Sequence, residues 1–386
     1  MSTPYRALRT GATVTALGVG VGVFVVGCAP RPAGPADPRI AVMGRVDRAD
    51  PARWRIGYPG VTMRVSIEGP TLLMRASCST DNCRLGVAVD GAPARVVRVG
   101  QGDRWIPVAE GLPAGPHTVE VVTRTEAWQG IVAVRAFEAP HGRLLAAPPW
   151  PRRRMLFIGD SATCGEAIDR EGGAGNPRGG AGNASPDDCA WTHEPAAAAS
   201  GDLSYGMLLA RALSAQAHLV CYGGRGLIRD WRGRRDVPNG PRLFDLAVAD
   251  DHPRALWDHA GYLPDVIVVA LGTNDFNLAL GPFPAREEFV TAYVAFVRAI
   301  RARYPAAPVI LTEGAIVSDD TDPQRPQKSV LRAYLAETAR RLADARVTVF
   351  PSQHYPGDAC NPHPTRAQHA AMAHDLEPAI RGATGW

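Results

Sequence analysis

A chain of 386 residues with 46% hydrophobic and 21% charged residues has an ordinary globular composition. It is long enough for two cores, since one rarely grows past roughly 250–300 residues. The formal charge of +4 is small, acids are interspersed with the bases, and every base but Lys328 is arginine. No nucleic-acid footprint is present, and the cluster Arg152-Arg153-Arg154 reads as a solvated junction before a strand.

In chain order, Arg6 and Arg9 precede an apolar, Gly-rich run from Gly11 to Gly27 that ends at Cys28. The run is short for a membrane span, which needs about 20 residues, and fits the apolar region of an export signal. Val25-Val26-Gly27-Cys28 resembles a bacterial lipobox, in which the cysteine is lipidated and becomes the new N-terminus. Residues 1–39 are therefore expected to be a lipoprotein signal and a Pro/Ala-rich tether. They place the protein outside the cytoplasm, lipid-anchored to a bacterial membrane. The other six cysteines are an even number, as disulfides require in an exported protein. Cys78 and Cys83 flank a short polar turn and are expected to pair, whereas Cys164, Cys189, Cys221 and Cys360 allow three connectivities. No metal-type cysteine spacing occurs, so no zinc site is expected.

Residues 40–148 alternate in short segments separated by Gly/Pro turns, as in Thr62-Met63-Arg64-Val65-Ser66-Ile67 and His117-Thr118-Val119-Glu120-Val121-Val122. That pattern predicts a β-sandwich, with Trp128 in its core. The proline-rich Ala147-Pro148-Pro149-Trp150-Pro151 marks the boundary. From 149 to 386 the period changes. Apolar runs at 155–158, 218–222, 266–271, 309–311 and 347–350 alternate with helical stretches over 205–215, 287–304, 328–345 and 366–381. Strands alternating with helices predict an α/β domain with a parallel sheet and right-handed crossovers. Thr365 with Gln368 forms a capping box that puts His363 in the loop before the last helix. Residues 168–203 lack periodicity and follow Ser161, the candidate nucleophile; Trp191 or His193 could reach the site from there.

Polar signatures end three apolar runs: Gly159-Asp160-Ser161, Gly223-Gly224-Arg225-Gly226 and Gly272-Thr273-Asn274-Asp275. A fourth cluster is Asn361-Pro362-His363-Pro364. The carboxyl ends of neighbouring strands in an open α/β sheet line one crevice, where ligands bind. A serine needs a histidine to take its proton, and attack on an ester creates an oxyanion that preorganised donors must meet. Ser161 as nucleophile, His363 as base, and an oxyanion hole of Ser161 N–H, Gly224 N–H and the Asn274 amide meet those needs. Ser161 is not in a G-x-S-x-G elbow, which argues against the common α/β-hydrolase arrangement. Asp275 is expected to be a structural acceptor, and His354, His369 and His374 surface or packing residues.

Gly159-Asp160-Ser161, Gly224, Asn274 and His363 resemble the four blocks of the SGNH (GDSL-type) hydrolases. The stretches Phe157-Ile158-Gly159-Asp160-Ser161-Ala162-Thr163-Cys164-Gly165, Leu271-Gly272-Thr273-Asn274-Asp275-Phe276 and, in the β-region, Arg124-Thr125-Glu126-Ala127 most resemble carbohydrate esterase family 2. The resemblance runs from about residue 40 onward. It implies a jelly-roll sandwich followed by a three-layer, flavodoxin-like SGNH domain, working without a cofactor. It also implies acetyl-ester hydrolysis on a polysaccharide of acetylxylan or acetylmannan type. Such enzymes usually place an Asp three residues before the histidine, or in some relatives two; here Cys360 and Asn361 stand there. Asp358 is taken as the third catalytic residue, with a backbone carbonyl (as in relatives that use a Ser–His dyad) or the Asn361 amide oxygen as alternatives. Pro362 stands where relatives often carry an aromatic residue. The expected protein is a monomer that meets the membrane only through its anchor. Other readings are a non-catalytic carbohydrate-binding lipoprotein, against which the intact Ser161, Asn274 and His363 speak, and an esterase or lipase for lipid or small esters, against which the lack of an apolar lid helix speaks.

Overall fold

The computed structural model describes residues 32–170, 195–249, 255–358 and 360–386. The expectations for Cys28, Cys189, Trp191 and His193 lie outside these residues.

Ten strands precede residue 150: β1 (Ile40–Met43), β2 (Trp54–Ile56), β3 (Thr62–Glu68), β4 (Leu72–Cys78), β5 (Cys83–Val89), β6 (Arg95–Val99), β7 (Arg104–Ala109), β8 (Pro116–Thr123), β9 (Val132–Glu138) and β10 (Arg143–Leu145). They form two antiparallel sheets, β1-β3-β8-β5-β6 with β10 also on β3, and β2-β9-β4-β7. Period-two alternation turns one side of each strand inward. In β4, for example, Leu72, Met74 and Ala76 are buried while Arg75 is exposed. These residues share one apolar cluster with Val65, Ile67, Val87 and Val119 of the other sheet. The Cys78–Cys83 disulfide joins β4 to β5, one strand of each sheet, as expected from the turn between them.

The second half is a parallel sheet of β11 (Arg153–Gly159), β12 (Ala215–Cys221), β13 (Val266–Ala270), β14 (Val309–Thr312) and β15 (Val347–Val349), in the order β12-β11-β13-β14-β15. Around it lie α1 (Ser161–Cys164), α2 (Pro195–Ala198), α3 (Tyr205–Ala212), α4 (Gly240–Leu243), α5 (Arg286–Arg303), α6 (Gln327–Leu342) and α7 (Arg366–Thr384). Strands covered on both faces read as continuous apolar runs, and all five residues of β13 are buried. Met155 and Phe157 of β11 join the cluster built with α3 and α7, whereas Leu156 and Ile158 join the one built with α5 and α6. Three layers follow from that alternation.

The basic cluster lies at the domain junction with Arg152 and Arg154 exposed, as expected. Arg153 and Arg154 are already in β11, opposite Ala215 and Gln216 of β12. Helix α3 stops at Ala212, short of 215, because Ser214 takes φ 49° and Ala215 opens the next strand.

The two halves are tied by buried polar contacts. Gly44 N–H donates to His218 Nε2 at 3.0 Å, the Arg45 guanidinium to the Phe244 and Leu246 carbonyls at 2.6 and 2.9 Å, and Tyr58 O–H to the Leu243 carbonyl at 2.8 Å. Beside the site, Arg124 pairs with Asp169, and Gly201 N–H donates to the Arg124 carbonyl at 3.1 Å.

Candidate active site

The chain runs from β11 outward to β12 and then back to β13 on the other side of β11. The carboxyl end of β11 is thus the switch point of the sheet, where a crevice must open. Ser161 is the second residue beyond it, on the first turn of α1, whose N-cap Asp160 accepts the Ala162 N–H at 3.1 Å. A disulfide between Cys164 and Cys221 clamps α1 to the end of β12, next to the Tyr222-Gly223-Gly224 turn. Cys360, in the histidine loop, is also disulfide-bonded.

At Gly224 the backbone has φ 74°, and a methyl group would lie 2.4 Å from Trp231 Cδ1. Only glycine meets both conditions without strain. Downstream, Asp275 accepts the N–H groups of Leu227, Ile228 and Arg229 at 2.7, 2.8 and 3.0 Å, which agrees with a structural role. The Asn274 amide gives one N–H to the Arg225 carbonyl at 3.0 Å, which leaves its second donor to be aimed.

His363 completes the set. Its Nε2 lies 2.7 Å from Ser161 Oγ, and its Nδ1 lies 2.6 Å from Asn361 Oδ1. That same Oδ1 is 2.8 Å from the His363 backbone N–H, which can only donate. The amide atom facing the ring is therefore the oxygen, Nδ1 carries the proton, and Nε2 is left with a lone pair for the serine. Burial first, then the positive charge of Arg170, push the imidazole down to about 4, so it is an uncharged base at neutral pH.

Asp358 does not reach the imidazole. Its Oδ2 accepts from Arg170 Nε at 2.6 Å, and its Oδ1 accepts the N–H groups of Cys360 and Asn361 at 3.0 and 3.1 Å. The carboxylate shapes the loop by binding two of its N–H groups and the buried guanidinium beside it. Arg170 also donates to the His363 carbonyl at 2.8 Å, so it joins the segment after the serine to the histidine loop. Gln368 of the capping box binds Thr365 N–H and both backbone groups of Gly357, each at 3.0 Å. His369 is buried against Tyr205, whose N–H it accepts at 3.1 Å, whereas His354 and His374 are exposed.

Ser161, Gly224, Asn274 and His363 line one cleft of about 730 Å³. Trp128 and Trp231 line it too, at 43% and 49% exposure. Trp128 is thus a wall of the cleft and not a core residue, because the turn after β8 leans over the second domain. The arrangement sets a serine hydroxyl against an imidazole, with backbone and amide N–H groups beside them in one cleft, a geometry able to support acyl transfer.

Residues 42–149 match the family described as Carbohydrate esterase 2 N-terminal, and residues 157–383 match the GDSL-like Lipase/Acylhydrolase family. An acetylxylan esterase / glucomannan deacetylase of Cellvibrio japonicus is 37% identical over 351 residues, covering 91% of this chain and 90% of that one. The chain belongs to carbohydrate esterase family 2. The structure of a family two carbohydrate esterase from Cellvibrio japonicus superposes with a TM-score of 0.82 at 36% identity, covering 92% of this chain and 98% of that one. A Clostridium thermocellum member in complex with cellohexaose gives 0.73 at 26%, covering 90% and 99%. This family 2 member is a carboxylic ester hydrolase.

Three of the esterase's site residues escaped sequence reading. Arg170 lies in an aperiodic stretch and meets the histidine loop only in the fold. Glu166, five residues after Ser161, has its Oε2 3.6 Å from His363 Nε2. Glu126 arrives from the other domain and accepts the Gly223 N–H at 2.5 Å. The available signal was the charged run Arg124-Thr125-Glu126 closing an apolar strand, all three residues buried.

Proposed function

We propose that this family 2 esterase removes O-acetyl groups from an acetylated polysaccharide of xylan or mannan type by a Ser161–His363 mechanism, with Asn361 in place of the acid. The observation that carries the reading is the chain of contacts from Ser161 Oγ to His363 Nε2 at 2.7 Å and from Nδ1 to Asn361 Oδ1 at 2.6 Å, in a cleft shared with Asn274 and Gly224. Ser161 Oγ attacks the acetyl carbonyl as its proton passes to Nε2. The carbonyl electron pair moves to oxygen, where Ser161 N–H, Gly224 N–H and the free Asn274 N–H receive it. Collapse expels the sugar alkoxide, which takes the proton from Nε2. Water then repeats the sequence on the acetyl-serine and releases acetate. Glycan chemistry is supported by the names of the relatives and by a groove walled by Trp128 and Trp231, whose faces suit sugar rings.

The test is acetate release from acetylated xylan and acetylated glucomannan by purified wild-type and Ser161→Ala protein. Release abolished by Ser161→Ala supports the reading, and near-normal turnover by Ser161→Ala refutes it. Anchoring through Cys28 is part of the same proposal and rests on the lipobox-like sequence alone. Cys28→Ser should move the protein to the soluble fraction at equal activity per molecule.

A further inference from the structure

The mechanism makes an imidazolium, and the residue on Nδ1 is a neutral amide. A carboxyl group stands on the other side of the ring. Glu166 Oε2 is 3.6 Å from His363 Nε2, too far for a hydrogen bond but close for two charges. Glu166 lines the cleft with Ser161 and Gly223.

Glu166 is not alone. Its neighbour is Glu126, which is 1% exposed, accepts the Gly223 N–H with Oε2, and lies beside the Trp128 indole. The two carboxyl groups converge on Gly223, where a methyl group would sit 2.9 Å from Glu166 Oε2 and 3.2 Å from Glu126 Oε1. Two carboxylates this close, one of them fully buried, do not both ionise readily. Burial pushes Glu166 up to about 7, and burial with the neighbouring Glu166 charge pushes Glu126 up to about 8. The charge settles first on Glu166, whose side chain is 29% exposed against 1% for Glu126, on the side of the imidazole. The other charged or titratable groups facing this pair and ring include Asp160, Arg170, His369 from α7 and, across the cleft, Arg225.

We infer that Glu166, backed by Glu126 from the β-domain, is a positioning residue for the esterase: its carboxylate stabilises the imidazolium from the Nε2 side and replaces the charge missing at Asn361. The inference rests on the Ser161–His363 reading. Glu166 neither takes nor gives a proton in the step. The Oγ–H bond breaks, the Oγ–C bond forms, the proton resides on Nε2 beside the carboxylate, and it then leaves with the sugar hydroxyl. The N-terminal domain is thereby a part of the active site, since Glu126 comes from the turn after β8.

The experiment measures kcat against pH on 4-nitrophenyl acetate for wild type, Glu166→Gln, Asn361→Asp, the double variant and Glu126→Gln, with thermal melts to check folding. Glu166→Gln should lower kcat about 10²-fold at pH 8, less than the ~10⁴ lost when a hydrogen-bonded triad acid is neutralised. It should also remove an activity limb near pH 7. Asn361→Asp should recover at least tenfold in the Glu166→Gln background, and several times less in wild type, because either carboxylate supplies the same charge. Glu126→Gln should leave the limb in place, since burial raises Glu166 and Glu126 is uncharged while Glu166 titrates. A folded Glu166→Gln protein within threefold of wild-type kcat and with the limb unchanged overturns the proposal, as do independent effects in the double variant. If Glu166→Gln does not fold, loss of the limb in Glu126→Gln overturns it, because the limb would then belong to Glu126. A fully active Ser161→Ala protein would instead remove the serine mechanism itself, whatever Glu166 does.

Discussion

Replacing Asn361 by Asp puts a carboxylate on His363 Nδ1 without moving the loop, and its consequence can be worked out from the geometry. The acceptor atom lies 2.6 Å from Nδ1 and also holds the His363 N–H at 2.8 Å, so an Asp oxygen can occupy the same place. With about 4 Å between charge centres, an effective dielectric of about 20 gives roughly 4 kcal/mol of attraction. At about 1.4 kcal/mol per pKa unit that is at most about 3 units, and opposite charges at this range typically deliver 1–3. The carboxylate favours the protonated ring, so the shift is upward: from about 4 in the wild type to between about 5 and 7. A stability effect follows with a fixed sign. The wild-type ring resists protonation when folded, whereas an unfolded histidine titrates near 6.5. Native stability is therefore drawn down as pH falls from about 6.5 toward 4, and the variant should lose less of it. The assay is the pH titration of the His363 ring proton signal by NMR in both proteins, with acid unfolding curves alongside. An unmoved or lowered His363 pKa in Asn361→Asp would mean that residue 361 does not hold the ring, and the tautomer argument would fail with it.

Asp358→Asn should keep kcat within about tenfold while lowering the melting temperature, because its carboxylate serves Arg170 and the loop N–H groups; a loss of about 10³ would return it to the imidazole. Asn274→Ala should cost on the order of 10²–10³ in kcat with little change in KM, the pattern of a donor used in the transition state. A raised KM at unchanged kcat would make Asn274 a ground-state contact. The Cys164→Ser, Cys221→Ser double variant opens a bridge spanning a sequence separation of 57 and should lose about 4 kcal/mol in a denaturant titration. An unchanged midpoint would show that this loop constraint does not act on the unfolded chain.

What the sequence by itself determined is whatever depends on near neighbours. The apolar run Met155-Leu156-Phe157-Ile158 can only be a strand buried on both faces, and the polar residues that follow it must leave the sheet there. Thr365 and Gln368 meet across one helical turn, so their capping box and the loop placement of His363 were legible. Strand-end chemistry on successive βα units carried Ser161, Gly224 and Asn274 to one edge, because parallel strands with right-handed crossovers present their carboxyl ends together. Distance along the chain misled in the one place where it seemed the best guide. Asp358 and Asn361 are both within reach of His363, and a carboxylate was the natural choice for an imidazole. Arg170, from far upstream, takes Asp358 for itself and turns the loop so that the amide oxygen faces Nδ1. The Glu126–Glu166 pair is further still from any spacing rule, since it forms only when one domain docks on the other. Periodicity and capping are local and leave a trace in the sequence; which buried charge finds which partner is decided by the folded chain, where desolvation leaves each group no alternative but the neighbour that tertiary packing supplies.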